Sequence, residues 1–319
     1  MNTTIGRLLF RGSGELAVLT ALFAVLMGVY WHYDGTIFTS QSLLALTVQV
    51  LPLAFAAMGQ AVVMLTRGID LSVGSVVATS MAVFALNAGD TAGSVLLAMC
   101  MAIGVAALAG VINGSLVALA GLPPIIVTLS TSFLWSGVAL WILPKPGGQV
   151  PAGLREAWTK GYQGIAVPIV ALIVVLVLWK LLSRTPFGLS IYAVGGNQHG
   201  AYANGIAVKR VTIGAYVTSA VLIALAGIAL AIQTGTADVT VGNPYTLNSI
   251  AASILGGVIF LGGVGYLRGA VLGAFTVVVI SNILLFSGVS PFYQLIVQGA
   301  ILIVAVSVKT ILNSDRAVA

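Results

Sequence analysis

The chain has 319 residues, of which 13 are Lys or Arg and 7 are Asp or Glu, so charged residues make up only 6 % of it. A soluble domain carries about 25 %, and a hydrophobic share of 59 % with a mean hydropathy of +1.12 excludes an ordinary soluble enzyme. The 38 glycines are typical of helices that pack closely in lipid, and the composition predicts an all-α polytopic membrane protein.

Stretches free of charged residues and of His divide the chain into candidate membrane spans, because a charge at the bilayer centre costs about 2.5–3.5 kcal/mol. A helix needs about 20 residues to cross. Two stretches are long enough for two helices each and break at Gly121–Pro124 and at Gly288–Pro291, where proline fixes φ. The sequence therefore predicts about ten spans, in residues 16–31, 35–66, 71–89, 91–144 (two), 161–179, 211–237, 239–267 and 269–308 (two).

The basic residues separate sharply between the two faces of this ten-span arrangement. Ten of the 13 lie at one face, and the other three all lie within residues 145–160. By the positive-inside rule the basic face and both termini are cytoplasmic, which explains an isoelectric point near 9.6 without nucleic acid as a partner. The sizeable loops are then about 145–164 outside and about 184–210 inside. Residues 1–319 are accordingly predicted to form a single transmembrane domain.

Two segments of the sequence look like distant copies. Asn113 is followed by Gly121-Leu122-Pro123-Pro124, and Asn282 is followed by Gly288-Val289-Ser290-Pro291. They fall in the fourth and ninth predicted spans, so the copies would run in opposite directions through the bilayer. Inverted repeats are common in transporters, and this internal repeat favours that class. Chance recurrence in a glycine-rich chain is the alternative.

The sequence lacks a nucleotide-binding loop, charged residues within the predicted spans and a pair of cysteines. No lysine follows a glycine, so there is no Walker-type phosphate loop. All seven acidic residues fall at predicted span ends or in loops, which removes the usual residues of ion coupling, and the lone Cys100 has no thiol partner. Asp70 is interpreted as the N-cap of the third span, with a functional role as the alternative. We predict no catalytic residue, bound metal or cofactor in this chain.

Uncharged polar side chains share faces of several predicted helices. A path for a hydroxyl-rich solute needs donors and acceptors without fixed charge. Hydrogen bonding between helices, or from Ser and Thr to the preceding turn, explains the same pattern equally well. The candidate pathway-lining residues are Gln49, Gln60, Asn113, Thr128, Ser132, Asn282 and Gln298.

The predicted inner loop contains a short helix. Asn197 can cap it, residues 198–204 make about two turns, and Gly205 supplies a left-handed stop. Ala201 and Gly205 are small, and we expect them to leave a smooth surface on which a partner protein docks. His199 has no second His, Cys or acid nearby and is assigned no chemistry.

Several short motifs are distributed along most of the chain. They are Gly68–Gly74 (Gly-Ile-Asp-Leu-Ser-Val-Gly), Leu122–Leu129, Thr185–Gly188 with Gly195–Ile206, and Leu247–Ala252 with the later glycine pairs 256–257 and 262–263. Together they resemble the permease subunits of ATP-binding-cassette importers for ribose, xylose, arabinose, galactofuranose and autoinducer-2.

The resemblance implies partners and a location in the bacterial inner membrane. The short inner-loop helix would be the coupling helix, seated in a groove of a separate ATPase that itself binds ATP and Mg. A second permease, identical or homologous, would share the pathway, and an extracytoplasmic solute-binding protein would deliver the sugar to the outer loops. The residues implied in coupling are Asn197, Gln198, His199, Gly200, Ala201, Tyr202 and Gly205.

One departure from the family pattern concerns this coupling helix. The chain has Gly200-Ala201-Tyr202 where the family commonly has Ala-Ala-Arg, so a basic contact to the ATPase is replaced by an aromatic one. Choice of ATPase partner is therefore expected to differ from that of close relatives.

The leading hypothesis is a permease that provides the path for a sugar and does no chemistry. A permease of the same superfamily for branched-chain amino acids or nucleosides would share the architecture. An ion-coupled secondary carrier would need no ATPase, and a membrane enzyme would need a cluster of His, Asp or Glu at the membrane edge. Which sugar is carried, and whether the permeases form a homodimer or a heterodimer, stay open at this point.

Overall fold

The computed structural model describes residues 2–290 and 293, 296, 297, 299 and 300. Within these residues the chain forms twelve α-helices, one 3-10 turn and no β-strand. The all-α fold predicted from composition is therefore confirmed. Most of the predicted tenth span lies outside the described residues, as does the candidate pathway residue Gln298.

The bounds of the helices follow caps and proline breaks in the sequence. The predicted break at Gly121–Pro124 is confirmed, with Gly121 at φ +69°. The elements in chain order are α1 (Asn2–Tyr33), α2 (Ser40–Leu65), α3 (Val73–Asn87), α4 (Ala92–Ala118), α5 (Pro124–Ile142), α6 (Ala152–Lys160), α7 (Val167–Leu182), α8 (Pro186–Gly196), α9 (Gln198–Ala203), α10 (Val208–Thr234), the 3-10 turn Val239–Gly242, α11 (Asn243–Leu255) and α12 (Leu267–Phe286).

Six of these helices are long and apolar enough to cross a membrane: α1 from Leu16 onward, α2, α4, α5, α10 and α12. A seventh span arises if α7 and α8, which meet at an angle of 77°, are counted together. The chain is thus a multi-pass membrane protein. The third and eighth predicted spans correspond to α3 and α11, which have only 15 and 13 residues. Ten spans and cytoplasmic termini stay predictions.

The segment after α7 is more ordered than expected. The sequence predicts a loop from Thr185 onward with one short helix, yet α8 precedes that helix. Thr185 caps α8 by accepting a hydrogen bond from the amide of Gly188, and Pro186 occupies its first turn. Within α8, Gly188 packs closely on the backbone of Leu182, where a side chain would not fit.

Helices α2 and α10 form the centre of the bundle, and nearly every residue of α2 from Leu46 to Leu65 is buried. Small residues allow this close packing. Gly59 of α2 contacts the backbone of Ser219, and Gly110 of α4 contacts the backbone of Tyr216. Helices α4 and α5 lie at the periphery with large apolar side chains exposed, as lipid contact requires.

Candidate translocation and coupling site

The short helix predicted in the inner loop is present as α9. The side chain of Asn197 accepts a hydrogen bond from the amide of Gly200 over 2.9 Å, and Gly205 has φ +80°. Both the cap and the left-handed stop are therefore confirmed, and the helix ends one residue earlier than predicted, at Ala203.

The side chains of α9 divide into an exposed and a buried face. Asn197, Gln198, His199 and Gly205 are exposed, and Tyr202 is the most prominent with 76 % of its surface accessible. Gly200 is half-buried. The expectation that Ala201 offers a smooth docking surface is wrong, because Ala201 is only 6 % exposed and belongs to the bundle core. Any partner on this helix meets Tyr202 and its polar neighbours.

Three segments that are far apart in sequence meet at the junction between α8 and α9. The amide of Gly263 donates to the carbonyl of Leu65 over 2.9 Å. Gly195 packs against that same carbonyl so closely that a Cβ there would overlap its oxygen. The end of α8, just before α9, therefore packs directly on the backbone at the end of α2 and in the loop between α11 and α12.

A buried polar network joins the start of α3 to α4 and α5. Asn113 donates to the hydroxyl of Ser72 over 2.9 Å and accepts from the hydroxyl of Thr131 over 2.7 Å. Asp70 accepts from the backbone amide of Ser72 over 2.8 Å and also from its hydroxyl. All four side chains are buried. The interpretation of Asp70 as the N-cap is wrong, since Ser72 occupies that position and Asp70 closes the turn before it.

Thr128 and Ser132, one turn apart on α5, behave differently. The hydroxyl of Thr128 lies 3.0 Å from both the carbonyl of Ile69 and the amide of Leu71, so it ties α5 to the segment before α3. Ser132 instead donates to the carbonyl of Leu129 in its own helix over 2.6 Å. Of the two, only Thr128 links separate segments.

Gln49 and Asn282 form a reciprocal pair of amide hydrogen bonds, each 2.9 Å long, between α2 and α12. Tyr30 of α1 adds a longer contact of 3.5 Å to Asn282. Both asparagines of the predicted internal repeat, Asn113 and Asn282, therefore serve as hydrogen-bonding links between helices. Their role as lining of a pathway stays a prediction.

Gln60 differs from the other candidates because it is fully buried and neither amide atom has a hydrogen-bond partner within the described residues. We expect Gln60→Leu to preserve or raise the thermal stability of the purified chain, because an unsatisfied buried amide costs about 1–3 kcal/mol. Thermal unfolding and uptake are measured in parallel. A clear loss of stability would show that the amide is hydrogen-bonded, whereas lost uptake at unchanged stability would support a pathway role.

Two turns of the chain share one sequence pattern that the sequence analysis missed. Asp70-Leu71-Ser72-Val73-Gly74 matches Asp238-Val239-Thr240-Val241-Gly242, and in both the aspartate accepts from the amide and hydroxyl two residues later. These hydrogen bonds lower the pKa of the accessible Asp238. The pattern Asp-x-(Ser/Thr)-Val-Gly was visible in the sequence and is the signal that finds this pair.

The two turns meet at their glycines. A Cβ on Gly74 would lie 2.6 Å from the carbonyl oxygen of Gly242, and a Cβ on Gly242 would overlap the carbonyl oxygen of Gly74. From this contact α3 leads towards the 145–164 loop, where Gln149 donates to Ala85, and α11 leads towards the α8–α9 junction. Two short helices thus start inside the bundle and lead to opposite faces, an arrangement typical of transporters built from inverted repeats.

The loop at the opposite face from α9 carries a helix of its own, α6. Gly147 pairs with Ala237 through two backbone hydrogen bonds of 2.9 Å, which fix this loop to the segment after α10. Lys160 bonds to Glu156 over 2.8 Å, and this contact lowers the pKa of the exposed Glu156 carboxyl. The loop therefore presents an ordered surface.

Among the described residues, no three His, Cys, Asp or Glu side chains lie close enough to bind a metal ion. The polar side chains that meet inside the bundle are mostly uncharged, and one short helix is exposed at its face. An apolar multi-helix bundle with such contacts and paired short helices defines the class of polytopic transport permeases.

Comparison with known proteins assigns the family within this class. Residues 42–306 match a family described as "Branched-chain amino acid transport system / permease component", and the chain belongs to that family. It is 37 % identical to the ribose import permease protein RbsC of Bacillus subtilis (strain 168), covering 83 % of each chain. No solved structure matches the chain.

Two further relatives cover even more of the sequence. The D-allose transport system permease protein AlsC of Escherichia coli (strain K12) is 33 % identical over 93 % of this chain and 90 % of its own length. The autoinducer 2 import system permease protein LsrC of Yersinia pseudotuberculosis serotype O:1b (strain IP 31758) is 36 % identical over 92 % and 82 %. The similarity to these two relatives therefore covers more than nine tenths of the chain.

Proposed function

We propose that this chain is the transmembrane permease subunit of an ATP-binding-cassette importer in the bacterial inner membrane, and that it forms the path for a monosaccharide or a related small polyol or furanose. The observation that carries the proposal is the 33–37 % identity to permeases named for ribose, allose and autoinducer 2. The family description names branched-chain amino acids, but these relatives favour a sugar over amino acids or nucleosides.

Energy would come from a separate ATPase that binds ATP and Mg. Helix α9 supports this assignment because it presents exposed Tyr202 and polar side chains while its other face is anchored in the core. Force on α9 would pass through the backbone contacts of Gly195 to the end of α2. A second permease and an extracytoplasmic binding protein complete the proposed assembly. The binding protein would dock on the 145–164 loop. No reaction is assigned to this chain.

An ion-coupled carrier is the second candidate, and Asp70 is the residue that it would need. This carboxylate is buried, but its hydrogen bonds go to Ser72 two residues away, and it has no ion pair within the described residues. Such a group closes a turn. The observation favours the ATPase-driven importer over the carrier.

The function is tested by reconstituting the chain in liposomes alone and together with a co-expressed ATPase and binding protein. Uptake of radiolabelled ribose, allose and autoinducer 2 is measured, with leucine and uridine as controls for the alternative cargoes. We expect ATP-dependent accumulation of a sugar only in the complete assembly. Accumulation by the chain alone under an ion gradient would contradict the proposal.

We expect Tyr202→Glu to weaken binding of the ATPase by about tenfold or more, because removal of one central aromatic contact typically costs about 2 kcal/mol. Co-purification of the ATPase with the tagged permease gives the measurement. Tyr162→Glu is the matched control, since Tyr162 is similarly exposed on the opposite loop. Equal ATPase recovery with both variants would contradict the assignment of α9.

A further inference from the structure

Arg67 lies just after α2 and reaches across to the end of α8. Its Nε donates to the carbonyl of Gly195 over 2.6 Å, and a terminal nitrogen donates to the carbonyl of Gly196 over 2.8 Å. These are the last two carbonyls of α8, which have no partner within the helix and attract a cation. One guanidinium therefore holds both carbonyls immediately before the α9 cap, Asn197.

The backbone of Arg67 is in an unusual conformation. Its φ of +67° is one of only two positive values at non-glycine residues in the described part of the chain. A left-handed conformation costs a non-glycine residue about 1–2 kcal/mol and persists only where the surroundings enforce it. Here Gly262 packs against the Arg67 side chain, leaving no room for a Cβ of its own. The local structure is built around this side chain.

The segment that Arg67 begins leads directly into the buried network. Thr128 binds Ile69 and Leu71, and Asp70 and Ser72 continue the hydrogen bonds towards α4. The segment from 67 to 72 is therefore fixed to α8 at one end and to α4 and α5 at the other. A short series of hydrogen bonds therefore connects the end of α8, next to α9, with the centre of the bundle.

We propose that Arg67 is a positioning residue that transmits movement of α9 to the 67–72 segment, and so links ATP binding by the partner to opening of the path. This inference rests on the proposed function. Arginine is required because its planar fork reaches two carbonyls at once, whereas lysine offers a single point charge. Loss of the fork would leave α9 docked on the ATPase and the end of α8 packed on Leu65, but would remove the hydrogen bonds that link the end of α8 to the 67–72 segment.

The test uses the assembled complex in nanodiscs, with Cys100→Ser to remove the only native thiol of this chain and Leu71→Cys as a reporter at a half-buried position, and labelling is read on this chain after separation of the subunits. Maleimide labelling of the reporter is timed with and without ATP and Mg, and ATP hydrolysis is measured on the same sample. With Arg67 present we expect ATP to change the labelling rate. In Arg67→Gln and Arg67→Lys we expect that change to be lost while ATP hydrolysis continues.

Lys180→Gln is the control for loss of a positive charge, because Lys180 is exposed and its side chain makes no hydrogen bond or ion pair in the described part of the chain. It should keep the ATP-dependent change. A change that persists in both Arg67 variants, or loss of the folded complex in both, would overturn the inference in favour of a purely structural cap. A reporter that does not respond to ATP even with Arg67 intact would also overturn the inference, whereas a complex that neither hydrolyses ATP nor takes up sugar would overturn the proposed function.

Discussion

Gly195→Ala is expected to lower the stability of the bundle strongly, by more than the about 1–3 kcal/mol typical of an overpacked core. A single added methyl group would overlap the carbonyl oxygen of Leu65 and lie 2.5 Å from the amide of Gly263. These are backbone atoms joined by their own hydrogen bond, so neither can move away cheaply. Thermal unfolding followed by size-exclusion chromatography in detergent measures the effect.

The adjacent Gly196→Ala is the matched control for this substitution. A Cβ at Gly196 meets nothing within 4 Å, and alanine favours a helix by about 0.5–1 kcal/mol over glycine. The control should therefore be neutral or slightly stabilising. If both variants unfolded at the same temperature, the three-segment junction would not exist as described, and the route from α9 to α2 would lose its physical basis.

The bundle itself was predictable because hydrophobicity and proline breaks act locally. The break at Gly121–Pro124 follows from φ restrictions alone, and the cap Asn197 with its stop at Gly205 follows from rules that involve only neighbouring residues. Membrane insertion of long apolar segments likewise depends on composition. These features needed no knowledge of which helices touch.

Tertiary contacts decided the features that sequence reasoning missed. Helical spacing does not predict that Ala201 is buried and Tyr202 exposed, because the burial of each side chain depends on where α9 lies on the bundle. The length of a charge-free stretch likewise overestimated α3 and α11, since irregular segments can be apolar when they are buried in protein.

The candidate polar residues illustrate the same limit. Gln49 and Asn282 are 233 residues apart and bind each other, and no pattern in one sequence pairs them. Helical spacing placed Thr128 and Ser132 on one face, yet only Thr128 has a partner outside its helix. The polar side chains indicated hydrogen bonding or contact with a solute inside the bundle, and three-dimensional packing determined the partner of each one.

Gly242→Ala and Gly74→Ala are each expected to destabilise the chain by about 1–3 kcal/mol, because each added methyl group would enter the backbone of the other turn. The two turns lie where α3 and α11 begin, so separating them should also slow uptake by the assembled importer. Thermal unfolding and transport rate are measured for both single variants and for the double variant. The double variant is the informative one.

If the glycines form one shared contact, the first substitution already separates the turns, and the second costs less than it does alone. The double variant should therefore be more stable than the sum of the single effects predicts. Gly137→Ala is the control, since a Cβ there meets nothing within 4 Å. Strictly additive losses would mean that the two turns are independent structures, and the inverted-repeat interpretation of α3 and α11 would then lose the contact that relates them.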